Sequence, residues 1–79
     1  MTDEFSVYWW DRDGGQHEEL RFVGELDAVK ASHRLACGPH SVLGFVDRVI
    51  ITDGGDCICF EWKKELGVTW PTPQKEEQQ

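Results

Sequence analysis

Asp13-Gly14-Gly15 and Asp53-Gly54-Gly55 interrupt strand-like sequence on either side of one helical stretch, and these two segments decide the fold. Asp-Gly and Gly-Gly favour tight hairpins, because the central turn residues need a positive φ that glycine adopts without a Cβ clash. The predicted order is therefore hairpin, helix, hairpin. The sequence carries no recognisable catalytic motif, so function is argued from charge, size and resemblance.

The first hairpin is predicted to join a strand over residues 4–12 to a strand over residues 16–23. Alternation places Trp9 and Trp10 on opposite faces, so at least one tryptophan is expected on a sheet face that a single helix leaves uncovered. In the second strand, Leu20 and Phe22 share one face. The polar residues of this strand are expected to point away from that face: His17, Glu19 and Arg21.

The helix is predicted over residues 25–37, after Gly24, with Gly38 and Pro39 ending it. Glu25 and Asp27 place carboxylates in its first turn, where they oppose the positive end of the helix dipole. His33 is expected at the border of the buried face, half-buried. The helical period assigns one set of residues to that face: Ala28, Val29, Ser32, Leu35 and Ala36.

The second hairpin joins predicted strands over residues 42–52 and 57–62, and residues 68–70 form a short additional strand in one version of the fold. Both faces of the 42–52 strand are mostly apolar, which is typical of a central strand. Phe45, Val49 and Ile51 are expected to share one of them. The predicted fold is α+β, ββαββ or ββαβββ, with an antiparallel sheet and one helix packed on one face.

Composition limits the chain to one small domain, assigned to residues 1–73, followed by a polar tail over 74–79 that is expected to be disordered. Fifteen acidic residues oppose eight basic ones, which gives a net charge of −7. Free nucleic acid and anionic membranes are therefore poor partners, whereas a basic protein surface is the natural complement. Because the N-terminus lacks a signal peptide pattern, the protein is expected in the cytoplasm with reduced thiols.

Carboxylates on or next to the two hairpins could form one negative surface if the hairpins are neighbours. Such a surface can occupy a basic groove that is meant for phosphates. An aromatic side chain on the open sheet face would add buried area, because aromatics are enriched at binding hot spots. The candidate partner-binding residues are Trp10, Asp11, Asp13, Glu18, Glu19, Asp53, Asp56 and Glu61. The competing interpretation is that these carboxylates serve the turns and are otherwise solvated.

A metal- or thiol-dependent protein is the alternative from a different class. Cys37 and His40 have C-x2-H spacing and Cys57 and Cys59 have C-x-C spacing, a set of four that zinc can accept. The C-x-C spacing departs from the usual C-x2-C knuckle. In an extended strand, Cys57 and Cys59 are also about 6–7 Å apart, which strains the binding of a shared ion. No metal or cofactor is therefore assigned. An exposed cysteine would also allow disulfide-linked dimers of an otherwise monomeric protein.

Several segments resemble a family of small proteins from bacteria and their phages. They are Tyr8-Trp9-Trp10-Asp11, residues 48–57, Phe60-Glu61-Trp62 and residues 67–71. In size, acidity and lack of enzymatic motifs the chain is also similar to phage-encoded anti-CRISPR proteins. Among these proteins, it is similar to inhibitors of the type I-C interference complex. The resemblance implies a non-enzymatic inhibitor that binds the surveillance complex and blocks target DNA binding. A phage structural or assembly protein is a further alternative.

Overall fold

Among the residues that the structure describes, five antiparallel strands form one sheet in the order β2-β1-β3-β4-β5. The computed structural model describes residues 3–55 and 57–71, with only the backbone of His40. The elements are β1 Phe5–Asp11, β2 Gln16–Val23, α1 Glu25–Cys37, α2 Pro39–Val42, β3 Val46–Thr52, β4 Ile58–Lys63 and β5 Gly67–Trp70. The predicted α+β class, the fifth strand and the central position of β3 are confirmed. The predicted tail over 74–79 lies outside the described residues.

Helix α1 has the predicted bounds, with Gly24 at its N-cap and Gly38 at its C-cap. A Cβ on Gly38 would overlap the carbonyl oxygen of Arg34, so the close approach of the backbone requires glycine here. Pro39 does not simply end the helical stretch, because it begins the single turn α2. The third strand consequently starts at Val46 rather than at residue 42. Proline suits this position, since the first turn of a helix needs no donor from it.

The buried face of α1 is rotated relative to the predicted one. Ala31, which the prediction omitted, is fully buried, whereas Val29 is 49% exposed. His33 is exposed rather than half-buried, and Ala36 is only partly covered. Because Ala28 and Ala31 are small, the helix backbone can approach the sheet closely. The core that results consists of Val7, Ala28, Ala31, Leu35, Val46, Val49 and Ile51.

A bulge in β2 overturns the predicted alternation of that strand. Val7 pairs with Leu20 and Phe5 pairs with Val23, so β2 has one residue more than β1 over this span. Phe22 takes a positive φ of 55° and is 61% exposed, and Val23 packs against the core in its place. His17 does not point away either, because its ring stacks on Trp9 at 4.1 Å between centroids.

A second bulge changes the start of β3. Trp10 pairs with Arg48 and Asp11 pairs with Val46, which leaves Asp47 as the extra residue. The bulge turns Val46 into the core, where it is fully buried, and leaves Phe45 exposed, the reverse of the predicted pattern. A one-residue change of register moves a side chain to the other face of a sheet, so bulges defeat predictions from strict alternation.

Candidate protein-binding surfaces

The two hairpin turns have the same hydrogen-bonding pattern. In the first turn, Asp11 Oδ1 accepts hydrogen bonds from the backbone N–H groups of Asp13 and Gly15, at 2.9 and 2.8 Å. In the second, Asp53 Oδ1 accepts them from Gly55 and Cys57, at 2.9 and 3.1 Å. Each aspartate therefore bonds the residues two and four positions after it.

The backbone completes the equivalence of the two turns. The N–H of Asp11 donates to the carbonyl of Gly15 at 2.9 Å, and the N–H of Asp53 donates to the carbonyl of Cys57 at 3.0 Å. The equivalent aspartates are thus Asp11 and Asp53. Asp13, which the Asp-Gly-Gly motif aligns with Asp53, is an exposed residue within the first turn.

The turns lie at opposite ends of the sheet, so the hairpins do not bring the candidate carboxylates into one surface. β1 and β3 are antiparallel, with Ser6 opposite Thr52 and Trp10 opposite Arg48. The first turn follows the end of β1 and the second follows the end of β3. At about 3.4 Å per residue, roughly 15–20 Å separate them.

Asp11 combines its turn with an interaction on β2. His17 Nε2 donates to Asp11 Oδ2 at 2.9 Å, and the imidazole is held flat against Trp9. The hydrogen bond from His17 lowers the pKa of the Asp11 carboxyl, and the backbone N–H of Gly15 lowers it further. Asp11 is therefore a structural carboxylate of this hairpin.

The uncovered face of the sheet carries Trp10, as the alternation predicted. The Arg48 guanidinium lies 4.5 Å from the centre of the Trp10 ring and donates to the Glu61 carboxylate. The hydroxyl of Thr69 donates to the other oxygen of Glu61 at 2.7 Å. The hydrogen bond from Thr69 lowers the pKa of Glu61, and Arg48 lowers it further. Trp70, opposite Glu61 in the β4–β5 register, is 49% exposed on this face.

Glu18 and Glu19 are neighbours in β2 but have different partners. Glu18 of β2 lies opposite Tyr8 of β1, and its carboxylate is 3.9 Å from the side chain of Arg21. Glu19 reaches Arg34 of α1 at 4.0 Å, an exposed pair of little energetic weight. Asp56 lies outside the described residues. The partner-binding role of the eight residues stays a prediction, but the seven that the structure describes do not form one surface.

A different group of carboxylates gathers at the end of the sheet that contains the second turn. Asp53 lies beside Glu4, whose carboxylate oxygen is 3.0 Å from the position of a Cβ on Gly54. Asp3 lies next to Gly24, where α1 begins. We call this region the acidic end, and it consists of Asp3, Glu4, Glu25, Asp27 and Asp53.

The pKa of the Cys59 thiol shows the effect of the negative charge at the acidic end. Partial burial raises its pKa, and the charges of Asp53, Glu25 and Glu4 raise it further. All three carboxylates therefore act on one point beside the start of α1. The opposite end of the sheet carries charges of both signs: Arg12, Arg34, Lys63 and Lys64 with Asp11, Asp13, Asp47 and Glu65.

The cysteines of the alternative metal site are not brought together. Cys59 lies beside Glu25 at the start of α1, whereas Cys37 is the last residue of that helix, about 18 Å further along at 1.5 Å per residue. Among the described residues, no three His, Cys, Asp or Glu side chains converge as metal ligands would. All three thiols are free and exposed.

An apolar groove beside α1 is a further surface that the sequence did not predict. Helix α1 packs over β1, β2 and β3. A groove of about 290 Å³ is left between the helix and β4, with Val29, Phe60 and Cys59 in its walls. Only the pairing order of the strands and the rotation of the helix reveal it, and neither has a local sequence signal.

Comparison with known proteins identifies no relative of the chain: no family model, curated protein or solved structure matches it. Within residues 3–55 and 57–71, no helix combines the length and the apolar composition needed to cross a bilayer.

Proposed function

We propose that this protein is a non-enzymatic inhibitor of the anti-CRISPR kind. It binds the type I-C surveillance complex in the bacterial cytoplasm and prevents that complex from binding target DNA. The acidic end is the surface that meets the partner, where it occupies positively charged protein that would otherwise hold DNA phosphates. The choice of partner rests on the similarity of the chain to phage-encoded anti-CRISPR proteins in size, acidity and lack of enzymatic motifs.

The concentration of negative charge at one end of the domain is the observation that carries the proposal. Among the described residues, five carboxylates lie around the start of α1 and the second turn with Arg21 of β2 as a nearby cation, whereas four acidic and four basic residues are mixed at the other end. A one-sided field orients a small protein as it approaches a partner of opposite charge and accelerates association. A uniformly acidic surface would only have served solubility.

Two of the candidate residues are poor choices for testing this surface. Asp53 holds the second turn through two hydrogen bonds, so its replacement disturbs the backbone. Glu61 is bonded to Arg48 and Thr69 on the open face, so its replacement disturbs the packing over Trp10. Asp3, Glu4 and Asp27 have neither of these two roles, so they are the better positions for testing binding.

The test is a gel-shift assay in which purified type I-C surveillance complex binds its target duplex with and without this protein. Loss of the shifted band at near-equal stoichiometry is the expected result, because the inhibitor acts before DNA engagement. An unchanged shift at a large excess of inhibitor would overturn the proposal.

Matched charge reversals locate the surface. The variant Asp3→Lys/Glu4→Lys/Asp27→Lys changes the acidic end, and Asp13→Lys/Asp47→Lys/Glu65→Lys makes the same change in net charge at the opposite end. The first variant is expected to lose inhibition at least tenfold and the second to retain it. Equal losses would show that net charge alone matters and would reject the acidic end as the binding surface.

A further inference from the structure

The groove beside α1 is lined mainly by apolar side chains, and the hydroxyl and the thiol among its lining residues are already hydrogen-bonded. Eight residues line it: Phe5, Glu25, Ala28, Val29, Ser32, Ile51, Cys59 and Phe60. The Ser32 hydroxyl donates to the carbonyl of Val29 at 2.9 Å, and the Cys59 thiol donates to the carbonyl of Ile51 at 3.4 Å. The groove therefore favours an apolar side chain over a polar one.

The size of the groove matches one or two side chains of a peptide. Its volume of about 290 Å³ lies at the lower limit of small-molecule sites, which run from about 300 to 1,000 Å³. The groove is also open to solvent on an apolar side, because Val29, one of its lining residues, is 49% exposed. A partner segment can therefore place an apolar side chain between α1 and β4.

Carboxylates border one end of the groove. Glu25 is part of its wall, and Glu4 and Asp53 are near enough to act on the Cys59 thiol. We infer that the groove binds a segment of a partner protein in which an apolar side chain is flanked by lysine or arginine. The apolar side chain enters between α1 and β4, and the cations meet the acidic end.

Two other occupants fit the groove less well. A second copy of this chain, with a net charge of −7, would bring carboxylates against carboxylates. The sequence after Pro71, Thr-Pro-Gln-Lys-Glu-Glu-Gln-Gln, supplies no large apolar side chain. Charge complementarity therefore favours a basic segment of a foreign protein. This inference rests on the proposed function only for the identity of the partner.

Alkylation of the cysteines in the full chain with Cys57→Ser tests the groove. The probe is a synthetic twelve-residue peptide of lysine and leucine arranged as an amphipathic helix, and iodoacetamide modification is followed by mass spectrometry. We expect the peptide to slow modification of Cys59 at least tenfold and to leave Cys37, at the other end of α1, unchanged. Peptides with leucine replaced by serine, or lysine by glutamate, are expected to give no protection.

Two substitutions separate the groove from general charge attraction. Val29→Glu places a charge at the wall of the groove, and Leu66→Glu places the same charge on an exposed leucine of the β4–β5 turn. Both positions are exposed, so both variants are expected to fold, which circular dichroism checks. Val29→Glu should weaken peptide binding at least tenfold, although its added negative charge would strengthen a purely electrostatic complex. Leu66→Glu should bind as the parent does.

Failure of binding, binding without protection of Cys59, or equal binding by the Val29→Glu variant would each overturn the inference. Equal loss in both variants would overturn it as well. Because the assay contains no surveillance complex, its outcome is independent of the gel-shift result. A protected groove together with an unchanged gel shift would retain the peptide site and reject the anti-CRISPR role.

Discussion

The two hairpin turns share one hydrogen-bonding pattern and differ in almost everything around them. Asp11 and Asp53 each bind the N–H groups two and four residues later, yet Asp11 also holds His17 and lies among charges of both signs. Asp53 lies among the carboxylates of the acidic end. The local sequence therefore specifies the loop, and the position of the loop in the sheet decides what surface it belongs to.

Removal of the turn aspartates should have the largest effect on stability. Asp53→Ala leaves two backbone N–H groups without their acceptor and is expected to lower the free energy of unfolding by about 1–2 kcal/mol. Asp53→Asn retains the Oδ1 acceptor and should recover most of that loss. Urea denaturation followed by tryptophan fluorescence measures both.

The equivalent pair Asp11→Ala and Asp11→Asn tests whether the turns are alike. Asp11→Ala should destabilise the protein and Asp11→Asn should recover part of the loss, with the contact to His17 weakened. If asparagine rescues one turn and not the other, the two loops are not equivalent.

Glycine substitutions should distinguish the turns at the level of backbone conformation. Gly14 has a φ of +88°, so Gly14→Ala is expected to cost about 1 kcal/mol. A Cβ on Gly54 would meet the Glu4 carboxylate at 3.0 Å, which can move aside, and the Glu4 Cβ at 3.2 Å, which needs a shift of only a few tenths of an ångström. Gly54→Ala should therefore cost less than Gly14→Ala in the same denaturation assay. A larger cost at Gly54 would contradict this interpretation.

The decrease in the free energy of unfolding at acidic pH should depend on Asp11 in the first turn. The pKa of Asp11 is lower in the folded state than in the unfolded state, so its contribution is present above the unfolded value, about 4. That contribution is lost as the pH falls through the folded pKa. Asp11→Asn should make the decline between about pH 5 and 2 shallower. Asp13→Asn, which removes the same charge nearby, serves as the control, and an equal change in both variants would refute the assignment.

Single charge reversals should have the smallest effects on stability. Asp13→Lys is expected to change the free energy of unfolding by less than about 0.5 kcal/mol, because Asp13 is exposed. Asp27→Lys opposes the helix dipole in the first turn of α1 and should cost about 0.5–1 kcal/mol at low salt. Addition of 1 M salt should reduce that cost, and a cost unaffected by salt would argue against the dipole.

Hairpins, helix bounds and fold class were predictable because each depends on neighbours in sequence. Glycine marked the turns and both ends of α1, and alternation assigned Trp9 and Trp10 to opposite faces. Alternation failed at Phe22 and Val46, where a bulge adds one residue to a strand. A bulge is settled by the pairing of two distant segments, so a single strand does not reveal it.

The candidate site was predictable only in part. The sequence indicated an acidic protein with an aromatic side chain on an uncovered sheet face, and Trp10 occupies that place. Its competing interpretation, that carboxylates serve the turns, is confirmed for Asp11 and Asp53. It did not indicate that Glu61 is bonded to Arg48. Side-chain partners from other strands decide which carboxylates remain available for a binding partner.

The sequence by itself determined the two Asp-stabilised loops, the limits of α1, the alternation around the tryptophans and the excess of negative charge. All of these depend on local backbone preference or on composition. Only the tertiary structure decided that the turns lie at opposite ends, that negative charge gathers at one of them, and that α1 leaves a groove beside β4. The physical reason is that strand order, register and helix rotation are set by the packing of the whole core, which no short segment encodes.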